Sequence, residues 1–335
     1  MCFPDNLVTS GITLHNDRMR VHVLPEEGGR LTSIFDMKSK IEFLLQPSDS
    51  YCRPKSLDPW DRFENSACSG IDDCLPSVGA CGPETPGGPV PDHGDFWRLQ
   101  WNVVSTSKSE SVSMAATGYS RPLLFEKRLT LHASCLEIHY CIRNQANTPV
   151  PFLYALHPLL AADPGDRIVM PHEVSSVRVE FSRFGRLGVA DSVIDWPKPD
   201  VASSALDLSR TEAISASTAE MLYTGRLRAG SCGLYRAQSG QGIAVRFDTK
   251  QLPYLGLWLC YGGWPEDAAL PRQYAVAFEP TVAPQGTLAA ALKHDQAPAI
   301  AAHACFEFSI VLEQIGHEPV DYDTFAAQCC ENAYF

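Results

Sequence analysis

An all-β fold is what this chain predicts, on three observations. Runs in which apolar and polar residues alternate, rich in β-branched and aromatic side chains, recur along its length. Clusters of Gly, Pro, Asn and Ser punctuate them. The 3.6-residue apolar spacing of a surface helix is nearly absent.

In chain order, the first strand runs from Met19 to Leu24, where apolar residues alternate with Arg20 and His22. Two long neighbours follow, from Leu123 to Leu131 and from Leu136 to Asn144, the second placing Leu136, Ile138, Tyr140 and Ile142 on one face. Further strands run from Ser176 to Phe181, Gly242 to Asp248, Tyr274 to Glu279 and Cys305 to Glu313. A helix fits best from Tyr322 to Ala333, and a short turn is expected around Leu206 to Ala213. From Leu57 to Pro91 repeated Pro and Gly break every regular pattern; an ordered loop of this length usually serves a site.

At 335 residues the chain is long for one core, yet β-sandwiches often reach this length as one unit, so a single domain over residues 1–335 is expected. Hydrophobic residues make up 45% and charged residues 20%, which supports a sizeable core and argues against disorder. A formal net charge of −12 without any Lys/Arg run argues against nucleic acid or an anionic membrane as partner, since both need a positive patch. Met1-Cys2-Phe3-Pro4-Asp5-Asn6 lacks the basic and apolar segments of a secretory signal, and no apolar run reaches membrane-spanning length, so a cytoplasmic protein is expected.

Twelve cysteines are scattered, several within strand runs (Cys135, Cys141, Cys232, Cys260), which reads as buried free thiols. Cys68, Cys74 and Cys81 miss the spacing of a zinc knuckle, and no structural metal is assigned. Nucleophile elbows, phosphate loops and dinucleotide fingerprints are missing, so nucleotide chemistry is not expected.

Three short segments carry candidate chemistry. In Pro91-Asp92-His93-Gly94-Asp95-Phe96-Trp97, His93 beside Asp92 can be held in one tautomer for hydrogen bonding or proton transfer. In Leu156-His157-Pro158-Leu159 an imidazole emerges from buried surroundings. Each competes with a histidine that simply satisfies local backbone. In Phe278-Glu279-Pro280, alternation puts Glu279 on the face of Ala275 and Ala277; burial there would raise its pKa towards that of a useful base, whereas an edge-protecting charge is the alternative. Arg30 after Gly28-Gly29, the pair Asp72-Asp73, and Trp258, Trp264 and Tyr261 around Gly262-Gly263 complete a candidate pocket, the aromatic faces suiting a sugar ring. The acidic pair alone is poor evidence for calcium, and a His/His/Glu transition-metal site stays open.

The segments Gly28-Gly29-Arg30-Leu31-Thr32-Ser33-Ile34, Gly70-Ile71-Asp72-Asp73-Cys74-Leu75-Pro76-Ser77, Asp92-His93-Gly94, His157-Pro158 and Phe278-Glu279-Pro280, in this order over most of the chain, resemble the aldose 1-epimerase (galactose mutarotase-like) family. That resemblance implies a β-supersandwich of large twisted antiparallel sheets with a sugar cleft on one face. It implies a mutarotase that interconverts the α and β anomers of a neutral aldose by ring opening and closure, without a cofactor. Glu279 is then the base for the anomeric hydroxyl, His157 the acid for the ring oxygen, and His93 a substrate-binding group. An Asp that grips sugar hydroxyls is also implied, with Asp191, Asp195 and Asp248 as candidates. Where hexose-6-phosphate relatives carry an Arg before their Gly pair, this chain has Cys68-Ser69-Gly70, which disfavours a phosphorylated sugar.

Two other classes stand beside this reading. A non-catalytic sugar-binding module would keep the same contacts, and another carbohydrate isomerase or lyase would use Asp72 or Asp73 as an added acid, base or metal ligand. Which sugar is taken depends on the loops from Leu57 to Pro91 and Gly262 to Pro271. Oligomeric state is not legible.

Overall fold

A computed structural model describes residues 11–48, 58, 60–107, 109–201 and 206–331. Met1 to Asn6, residues 57 and 59 of the long loop, and the last two residues of the expected C-terminal helix lie outside them.

Two large sheets with antiparallel strand pairing dominate. The ten-stranded sheet runs in spatial order Ile12–His15, Met19–Leu24, Arg30–Asp36, Ile71–Cys74, Ala155–Pro158, Tyr274–Thr281, Tyr254–Tyr261, Thr218–Thr224, Ser176–Ser182 and Val193–Asp195. The eight-stranded sheet runs Arg167–Val169, Ser231–Arg236, Gln241–Phe247, Cys305–Ile315, Cys135–Asn144, Leu123–His132, Ser111–Thr117 and Asn102–Ser107. The expected all-β class is borne out, and all seven expected strands are present with ends shifted by at most two residues.

Alternation explains how the sheets meet. Leu123, Phe125, Leu129 and Leu131 are buried while Arg128 and His132 are exposed, so one face of that strand turns inward. A single hydrophobic cluster joins such residues to Val21, Ile34, Leu156 and Phe278 of the other sheet. The aromatic rings of Phe125, Tyr140, Tyr154 and Phe308 pack at its centre, with Tyr154 4.6 Å from Phe308. Helix Tyr322–Glu331 covers part of the other face of the eight-stranded sheet through Phe325 and Cys329.

Several elements departed from expectation. Strand Asn102–Ser107 is exposed throughout, so it has no apolar face to announce it. Strand Tyr254–Tyr261 is apolar on both faces and lacks alternation. The turn expected around Leu206 to Ala213 is present only at 208–209, with a 3-10 turn following at Ile214–Ala216. Helix Leu288–Lys293, capped by Thr287 Oγ1 accepting from the Ala290 amide at 3.1 Å, was not anticipated. The described cysteines are free thiols, and Cys141, Cys232 and Cys260 are buried as expected, whereas Cys135 is only partly buried.

Candidate active site

One transverse row of the ten-stranded sheet builds the site. His157 lies opposite Asp72, and the pairings of Ala155 with Thr281 and Leu160 with Val276 bracket His157 opposite Glu279. Glu279 pairs with Gly256, Gly256 with Tyr223, and Tyr223 with Arg178. Residues in one row share a face, so the order Asp72, His157, Glu279, Gly256, Tyr223, Arg178 crosses six strands on the side away from the other sheet. Glu279 shares that face with Ala275 and Ala277, as alternation predicted, and Leu159 and Trp258 pack against those alanines.

A cavity of about 170 Å³ opens over this row, lined by His157, Glu279, His93, Trp258, Tyr223 and Met221 with Phe63, Val78, Trp264, Gln273 and Gly286. Gly256 makes the floor possible: a Cβ there would lie 2.8 Å from Met221 Cε and 3.1 Å from both Glu279 Cβ and Tyr223 Cε1. Phe63 and Val78 come from the long loop, and Trp264 from the loop after Gly262-Gly263.

Glu279 and His157 meet at the floor, Oε1 to Nε2 3.9 Å. Both are buried, and Glu279 Oε2 and His157 Nδ1 have no hydrogen-bond partner. Burial disfavours charge on each, pushing Glu279 up to about 8 and His157 well below its ordinary value, with His93 adding to the second effect. The pair thus holds one proton across the neutral range.

His93 is placed by a left-handed backbone at φ 60, followed by Gly94 at φ 73. Its ring stacks on Phe63 at 4.0 Å and meets His157 edge-on at 5.0 Å. Asp92 Oδ1 lies 3.1 Å from His93 Nδ1, and Asp92 Oδ2 accepts from the Phe63 amide at 2.8 Å. Burial alone would raise Asp92, but its bond to His93, the charge of His93 and the Phe63 amide outweigh that and lower it to about 2. The Asp92 contact at Nδ1 orients the His93 ring and leaves Nε2 as its other polar atom. Trp258 Nε1 donates to Gln273 Oε1 at 2.6 Å, which fixes its ring in the cavity wall.

Other expected site residues lie elsewhere. Asp72 is fully buried behind His157, pushed up to about 6 by burial, and does not line the cavity. Asp73 points between the sheets, where its carboxylate accepts from Lys127 Nζ at 2.7 Å and Tyr154 OH at 2.9 Å. Arg30 pairs with Glu27 at 2.7 Å and does not line the cavity. Tyr261 is buried in the main core. Of the three Asp candidates, Asp191 pairs with Arg178 at 2.8 Å, Asp195 lies opposite Ser176 at the sheet edge, and Asp248 caps a turn at the Lys250 amide; none lines the cavity. Tyr223, Met221 and Gln273 were missed; the Met221/Tyr223 spacing of two was the available signal.

The fold of the chain superposes on those of several solved structures. The Slr1438 protein from Synechocystis superposes with TM-score 0.69 at 15% identity, over 94% of this chain and 98% of its own. A galactose mutarotase-like protein from Lactobacillus casei gives 0.61 at 16% identity, over 91% and 99%. The chain has the galactose mutarotase-like fold. An Escherichia coli protein provisionally named an aldose 1-epimerase shares it, with TM-score 0.64 at 14% identity over 91% of this chain and 98% of its own. The mutarotase-like architecture implied by the sequence resemblance is therefore borne out, and identities this low carry the fold alone. No family model and no curated protein matches the chain. Among the described residues, no helix of this mutarotase-like chain is long and apolar enough to cross a membrane.

Proposed function

We propose that the chain is an aldose 1-epimerase acting on a neutral sugar. The observation that carries this reading is the His157–Glu279 pair, two buried proton-transfer groups 3.9 Å apart at the floor of a cavity with aromatic walls. Mutarotation requires a proton to leave the anomeric hydroxyl while another reaches the ring oxygen, after which both steps reverse. A pair sharing one proton meets that requirement without a cofactor. The resting proton lies on Glu279; once it is transferred to His157, Glu279 is the base and His157 the acid, the roles the family resemblance implies. His93 Nε2 would hydrogen-bond a sugar hydroxyl, and Trp258 would cover an apolar face of the ring. Arg30, Asp72 and Asp73 take no direct part in this reading.

Saturation-transfer NMR on a panel of free aldoses tests the proposal. Faster exchange between anomers with one or more sugars supports it; sugar binding without acceleration would instead favour a non-catalytic binding module.

A further inference from the structure

The solvent-facing side of the eight-stranded sheet carries a second cluster of reactive side chains. Three successive rows cross its central strands: Arg128, His139 and Ser309; then Glu126, Cys141 and Glu307; then Leu124, Arg143 and Cys305. Cys305 Sγ is 3.4 Å from Glu307 Oε1, and the Sγ atoms of Cys141 and Cys305 and a Glu307 oxygen all lie within 4.8 Å of one another. Among the described residues, this is the one group of three such donors that comes so close.

We propose that Cys141, Cys305 and Glu307 form a surface zinc site, with water completing a tetrahedron. Zn–S bonds of about 2.3 Å and Zn–O bonds of about 2.0–2.2 Å place ligand atoms roughly 3.5–3.8 Å apart. The Cys305–Glu307 separation already matches, and the remaining donors need to close by only about 1 Å. Two thiolates with one carboxylate favour zinc over the hard cations magnesium and calcium.

Register separates this site from a redox disulfide. Cys305 is paired with Arg143, which makes Cys141 its diagonal neighbour. Diagonal Cα atoms sit roughly 7–8 Å apart, beyond the ~6.8 Å limit of a disulfide. A metal spans that gap; an S–S bond does not without moving the strands.

Charged and polar groups flank the cluster. Arg143 Nη2 lies 4.0 Å from Cys141 Sγ and 3.9 Å from Glu126 Oε2, so the guanidinium is compensated by Glu126 as well as attracted to the thiol. Arg128 and His139 stand one row away, and His139 Nδ1 is 3.2 Å from Ser309 Oγ.

Cobalt titration of the reduced full chain, with Cys305→Ser and Glu307→Gln as comparisons, tests the site. The expected result is one more cobalt bound by wild type than by Cys305→Ser, with thiolate-to-cobalt absorption that is lost in that variant and weakened in Glu307→Gln. Zinc should displace the cobalt. Equal stoichiometry and spectra for wild type and Cys305→Ser would overturn the proposal, as would a Cys141–Cys305 disulfide found by peptide mapping after mild oxidation. Because the readout is metal binding, neither outcome depends on the sugar chemistry.

Discussion

His157 and Glu279 face each other across neighbouring strands, Nε2 to Oε1 3.9 Å, while the second polar atom of each side chain is buried without a hydrogen-bond partner. Leaving such atoms unsatisfied costs roughly 1–3 kcal/mol each. A fold retains that cost where a ligand's hydroxyl groups can later satisfy the same atoms.

Stability should therefore depend on pH through Glu279. Its folded pKa of about 8 lies above the ordinary 4.5, so between those values the folded state holds a proton that the unfolded chain has lost. Stability contributed by the neutral carboxyl is present at low pH and declines as pH rises to about 8. Glu279→Gln does not titrate. It should gain on wild type between pH 5 and pH 9, by up to several kcal/mol at about 1.4 kcal/mol per pKa unit. Urea unfolding at both pH values measures this; an unchanged difference would contradict it.

Activity should fall at high pH. The pair carries one proton below pH about 8 and loses it above, so kcat/KM for anomer exchange should hold through neutrality and drop as pH rises past that value. A profile that climbs through pH 8 would show that ionised Glu279 acts with a neutral His157 and no shared proton.

Gly256→Ala should fold but bind sugar poorly. The added methyl meets Met221, Glu279 and Tyr223 at 2.8–3.1 Å, costing about 1–3 kcal/mol of stability by overpacking. Intruding on the cavity floor, it should weaken binding ~10-fold or more, the scale of one misplaced methyl group. Calorimetry showing wild-type affinity would place the sugar elsewhere.

Lys127→Met tests the structural role of Asp73. Removing the ammonium leaves a carboxylate buried between the sheets with Tyr154 as its remaining partner, which should cost roughly 3–5 kcal/mol. Chemical denaturation reads the loss. A stability change below about 1 kcal/mol would show that this pair is not the buried ion pair it looks like.

What was legible in the sequence was local. Alternation located Leu123–His132 and Cys135–Asn144 within a residue or two and set Glu279 on the face of Ala275 and Ala277. The same rule sends the neighbours Asp72 and Asp73 to opposite faces, so grouping them in one pocket overlooked a signal already present. Arg30 found a partner three residues away in Glu27 instead of reaching the cleft. Illegible features were those made by register between distant segments: Tyr223 and Gly256 join the row of Glu279 only because three strands align. Gln273 and Phe63 enter the cavity from loops with no periodic pattern.

The most direct measurement compares anomer exchange by saturation-transfer NMR in wild type, Glu279→Gln and His157→Asn, with each variant's fold checked by circular dichroism. The account predicts acceleration by wild type and a loss of about 10²–10⁴-fold in each variant. Acceleration that survives in both folded variants would contradict it.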